Sequence, residues 1–104
     1  MAQFEVFRNP VARTRGSVPF VMDVQANVLV RLNTRMVVPL YHSERIPRPI
    51  RNLQPTFSVE QHSVVMATNE LAGVPISALG ERVGSLSAER AAIIAALDLL
   101  FTGV

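Results

Sequence analysis

Only residues 87–104 combine the length and the period of a full α-helix, so whatever precedes them must fold largely from shorter pieces. Their apolar positions Ile93, Leu97, Leu100 and Phe101 recur at helical spacing, with Ile94 beside them. One face of such a helix buries, while residues 101–104 run on past it as a displayed tail. Ser87 is a candidate N-cap, although Arg90 stands where a capping box has Glu, and Gly103 fits the glycine that follows a helix.

Upstream the apolar period is two. Residues 3–8 place Phe4 and Val6 on one face with Gln3 and Glu5 on the other, as in a half-buried strand. Residues 9–17 then predict an exposed turn. In residues 18–26 the alternation returns, with Phe20, Met22, Val24 and Ala26 inward and Asp23 and Gln25 outward. Residues 35–41 form a continuous apolar run suited to a strand buried on both faces, its ladder limited by Pro39. Three prolines and three arginines replace any period in 43–55, which predicts a surface excursion. Residues 56–59 and 63–68 flank Glu60, Gln61 and His62 as a hairpin, and 74–79 give a last strand after a turn at Gly73. About six short strands and one helix, with no βαβ rhythm, predict a small antiparallel α+β barrel or sheet carrying the helix.

A chain of 104 residues suits one domain, residues 1–104, with one modest core. At 49% hydrophobic residues it has apolar surface to spare, which favours a homodimer. The longest near-apolar run, 91–101, contains Asp98 and is too short to span a bilayer, so a soluble protein is expected. Glu5 stands where a leader would be basic, making the cytoplasm the expected compartment. The absence of cysteine excludes disulfides and thiolate chemistry. All ten basic residues are arginines, but their excess over acids is only two and no run concentrates them, which argues against a nucleic-acid stripe.

Little in the sequence demands catalysis. His42 and His62 have no partner at metal-ligand spacing, the five glycines form no phosphate loop, and no Gly-x-Ser-x-Gly turn occurs. No cofactor and no metal are expected. One catalytic reading stays open, in which His42 or His62 with an arginine cleaves RNA by acid–base chemistry.

Several motifs fall in register along the chain: Gln3-Phe4-Glu5-Val6, Phe20-Val21-Met22-Asp23-Val24-Gln25 and Arg35-Met36-Val37-Val38-Pro39-Leu40. Gly73-Val74-Pro75-Ile76-Ser77, Leu79-Gly80-Glu81, Leu86-Ser87 and Leu99-Leu100-Phe101-Thr102-Gly103-Val104 follow. In this order they resemble the CcdB toxins of toxin–antitoxin pairs, whereas residues 41–55 match poorly. The resemblance implies an SH3-like barrel with a C-terminal helix, a homodimer with Leu100 packed across it, and a binding activity rather than catalysis. Such dimers grip the gyrase A subunits and hold the enzyme on cleaved DNA, until a CcdA-like antitoxin with a disordered tail removes them.

Carried onto this chain, the gripping surface is Phe101, Thr102, Gly103 and Val104, with Asp98 one turn earlier and Val28 and Leu29 after the second strand. One departure stands out: the best-known poisons have tryptophan where this chain has Thr102. Two further readings therefore stay beside gyrase poisoning. One is an mRNA endoribonuclease of the related MazF and Kid type. The other is an attenuated toxin that keeps only antitoxin binding.

Overall fold

Alternating apolar side chains become strands in the computed structural model, which describes residues 2–29 and 31–104. In chain order they are β1 (Glu5–Arg8), β2 (Phe20–Asp23), β3 (Thr34–His42), β4 (Thr56–Val59), β5 (His62–Met66), β6 (Ala72–Pro75) and β7 (Arg82–Ser85). A one-turn helix, α1 (Ala12–Arg15), joins β1 to β2, and α2 (Arg90–Thr102) follows β7. All pairings are antiparallel, in the order β4-β5-β3-β2-β1-β7, with β6 also on β3. The result is the expected mainly β, barrel-like curled sheet with a C-terminal helix.

The long strand β3 organises the sheet by changing partners along one edge. Thr34 to Val37 pair with β6, and Leu40 to His42 pair with β5. Pro39 sits at the changeover, where its carbonyl accepts the Ala67 N–H at 3.0 Å. Its missing N–H therefore falls at the junction of two partners, and the strand runs on through His42 rather than stopping at the proline.

Phe20 and Met22 of β2 and Val38 and Leu40 of β3 face the main core, where they meet Phe4, Val6, Val64 and Met66, whereas Met36, expected within a strand buried on both faces, is exposed. From α2, Ile93 and Ala96 complete it. Full burial of one such large side chain contributes about 1.5–3 kcal/mol. The helix is thus anchored by its middle, leaving its end unpinned by the core.

Several expectations are corrected. The second strand is shorter than 18–26: Ala26 is exposed, whereas Asp23 and Gln25, expected outward, are buried. Burial is possible because Asp23 finds a charged partner, Arg35, as described below. Residues 9–17 contain α1, which buries nothing and so left no apolar period to read. The strand expected over 74–79 is β6, which begins two residues earlier, contains Gly73 and gives way to a 3₁₀ turn at Ile76–Ala78. β7 was not anticipated, because Val83 is its lone large apolar residue. Ser87 opens a 3₁₀ turn, Ser87–Glu89, instead of capping α2, whose N-cap position is Glu89 without a side-chain cap.

Two close backbone features have consequences for stability. A Cβ at Gly80 would lie 2.2 Å from the Arg8 carbonyl oxygen, and the Arg8 N–H donates to Glu81 O at 2.8 Å. Gly80→Ala must push this strand pair apart, and a loss of about 1–3 kcal/mol is expected in urea unfolding. The β4–β5 hairpin turns through Glu60 (φ 48°) and Gln61 (φ 67°), a left-handed pair that usually takes Asn-Gly. Glu60 is retained by its ion pair with Arg8 at 3.2 Å, but Gln61 makes no such contact. Gln61→Gly is expected to raise the melting temperature by a few degrees, about 0.5–1 kcal/mol.

Candidate functional site

α2 delivers an apolar tail into solvent. Gly103 adopts a left-handed conformation (φ 78°) and its N–H donates to Leu99 O at 3.0 Å, which terminates the helix as expected. The Thr102 hydroxyl turns back to donate to Asp98 O at 2.7 Å. Phe101 is 69% exposed and Val104 is 89% exposed. Core packing of Phe101 is thereby excluded within one chain, while Leu100 is half-buried. On the same helix, Arg90, Ala91, Ile94, Ala95 and Asp98 line a shallow groove of about 510 Å³.

Val28 and Leu29 form a second apolar surface. They lie on a 3₁₀ turn, Asn27–Leu29, and are 86% and 46% exposed. With Arg31 and Leu32 they line a depression of about 270 Å³, which shares no lining residue with the α2 groove. Of the predicted contact residues, Asp98 and residues 101–104 come together on one helix end, and Val28 and Leu29 form a separate surface.

A buried polar network supports that second surface. Asp23 and Arg35 are fully enclosed, with Arg35 Nε donating to Asp23 Oδ2 at 2.7 Å and Nη2 lying 2.6 Å from the same oxygen. Nη2 is not aligned for a hydrogen bond, and Nη1 has no partner among the described residues. Asp23 Oδ1 accepts the Gln25 N–H at 2.9 Å. The Gln25 side chain then donates to Leu29 O at 3.0 Å and accepts the Met36 N–H at 3.0 Å. Asn27 Oδ1 adds a bond from the Gln3 N–H at 2.7 Å. The exposed turn is therefore held from beneath by residues whose burial periodicity alone had placed them outside.

At the opposite edge, Glu5 ties β1 to β7 through Arg82. Burial pulls the Glu5 carboxyl upward, but the Ala2 N–H and the Arg82 guanidinium outweigh it and hold it below its ordinary value.

The two histidines, remote in sequence, meet in space with ring centres 5.4 Å apart. The arginine reaching this cluster, Arg8, packs on Phe20 and is engaged by Glu60 at 3.2 Å and Glu81 at 3.6 Å. A guanidinium held by two carboxylates is poorly placed to stabilise a phosphorane, so the pair gives the ribonuclease reading little support.

A curled antiparallel sheet that carries a C-terminal helix with an exposed apolar end defines an α+β, barrel-like protein. Residues 3–103 match the family model of the CcdB protein, and the chain belongs to the CcdB family. That family comprises toxins of toxin–antitoxin modules that poison gyrase. No described helix is long and apolar enough to cross a membrane.

Proposed function

We propose that this chain poisons DNA gyrase as a homodimer, binding the A subunits and trapping the enzyme on cleaved DNA. The observation that carries the reading is the tail: Phe101 and Val104 are exposed apolar groups on a helix end fixed by Gly103, a poor arrangement for a monomer in water and a good one for an interface. Asp98, Thr102, Val28 and Leu29 complete the contact surface. Because the Thr102 hydroxyl is engaged by Asp98 O, this position offers its partner little beyond a methyl group. Phe101 thus takes the role of aromatic anchor that a tryptophan would fill. Half-buried Leu100 lies on the face that packs against the second subunit. A CcdA-like antitoxin with a disordered acidic tail releases the grip in the cytoplasm, folding as it binds the arginine-rich toxin.

The test is a cleavage assay with the gyrase of the protein's own host, ATP and supercoiled plasmid, denatured before electrophoresis. Protein-linked linear DNA above the enzyme-only control is expected. Its absence, together with antitoxin binding, would replace this reading with that of an attenuated toxin.

A further inference from the structure

We propose that His42 and His62 form a two-imidazole site for a borderline divalent transition ion, Zn²⁺ foremost. His42 ends β3 and His62 opens β5. The register pairs His42 with Val64, so His62, two residues further along β5, lies on the same face of the sheet as a diagonal neighbour. The ring centres lie 5.4 Å apart, with the ring planes inclined at 71°.

That separation is compatible with a shared tetrahedral ion. With a metal–nitrogen bond of about 2.1 Å and a ring centre roughly 1.1 Å beyond it, two imidazoles on one tetrahedral ion have centres about 5.2 Å apart. A right-angled octahedral pair would bring them closer, to about 4.5 Å, and imidazole donors suit Zn²⁺ among divalent ions.

The scaffold holds this geometry in place. Ser43 and Ser63, each the residue after one of the histidines, join hydroxyls at 2.6 Å, and His62 follows directly on the left-handed turn at Glu60 and Gln61. His62 also packs on Phe20, at 6.4 Å between ring centres. Arg8, Glu60 and Glu81 on the Phe20 side sum to one negative charge, and Glu44 and Arg45 on the turn after His42 cancel, so a cation is not opposed. Among the described residues no group of three or more metal-ligating side chains converges, so the protein supplies two donors and water completes the shell. Two imidazoles without a carboxylate exclude Mg²⁺ and Ca²⁺. The site shares no residue with the tail or with the Val28 turn, and it stands independently of gyrase binding. A bound ion would fasten the end of β3, and with it the start of the 43–55 loop, to the β4–β5 hairpin.

The test is a titration of chelator-treated full-length protein with ZnCl₂ by calorimetry, with thermal unfolding in parallel. One ion per chain is expected. At about 0.1 mM Zn²⁺ the melting temperature should rise by a few degrees, and Mg²⁺ should leave it unchanged. His42→Ala and His62→Ala should each weaken binding at least about tenfold, and His62→Gln serves where alanine disturbs the hairpin. Absence of heat and of any melting shift at about 1 mM Zn²⁺, or binding that survives both substitutions, overturns the proposal.

Discussion

Asp23→Ala is expected to cost about 3–5 kcal/mol in urea unfolding, the largest loss from any single polar substitution in this chain. The carboxylate is fully enclosed and has two structural tasks: it neutralises Arg35 and it accepts the Gln25 N–H. Removing it strands a guanidinium whose Nη1 already lacks a partner among the described residues, and an unpaired buried charge is penalised far more heavily than the intact pair contributes. A domain of this size has only about 5–15 kcal/mol to lose, so the variant gives up a large fraction of its stability. The control is to remove both charges. Asp23→Leu with Arg35→Met should recover most of the loss, because two apolar groups of similar volume avoid both desolvation terms. If the double variant is as unstable as the single one, the pair acts through shape and not through charge. A second readout separates the network from the core: with Gln25 misplaced, amide exchange should quicken first across residues 27–29, the turn that Gln25 holds through Leu29 O.

This network also marks where the sequence could be read and where it could not. The strand at Glu5–Arg8 follows from alternation, Thr34–His42 from its continuous apolar run, the β4–β5 hairpin from two apolar stretches flanking Glu60 and Gln61, and Gly103 from its need for a left-handed backbone. β2 was found, but the exposure of its polar residues was not. Alternation assigns Asp23 to water because a lone carboxylate belongs there, and only the diagonal placement of Arg35 across the β2–β3 ladder reverses that. β7 and α1 were missed for a related reason. Each owes its existence to pairing or local closure with little apolar burial, so no period betrays it. The tail was only partly legible: helical spacing groups Phe101 with Ile93 and Leu97 on the apolar face, and the family resemblance, not the period, assigned it to contact. The adjacency of His42 and His62 was not legible, because it depends on the β3–β5 register, and no spacing within either strand carries that information.

Phe101→Ala separates function from stability and is the sharpest test of the tail. With 69% of the side chain already in water, its truncation should leave the unfolding free energy within about 0.5 kcal/mol of the parent. In the gyrase cleavage assay the same change should raise the concentration needed for half-maximal linear product by about 30-fold to 1,000-fold, the effect of losing an aromatic anchor worth about 2–4 kcal/mol. Thr102→Trp should act in the opposite sense. It breaks the bond to Asp98 O, a minor loss at an exposed helix end, and adds a second aromatic surface beside Phe101. Deleting Gly103 and Val104 should abolish trapping altogether, since it removes both the left-handed helix stop and the most exposed apolar side chain of the tail. If Phe101→Ala and the deletion both poison gyrase as well as the parent does, the helix end is not the grip. Recognition would then fall first to Val28, Leu29 and the neighbouring Arg31 and Leu32, another exposed apolar surface of the fold.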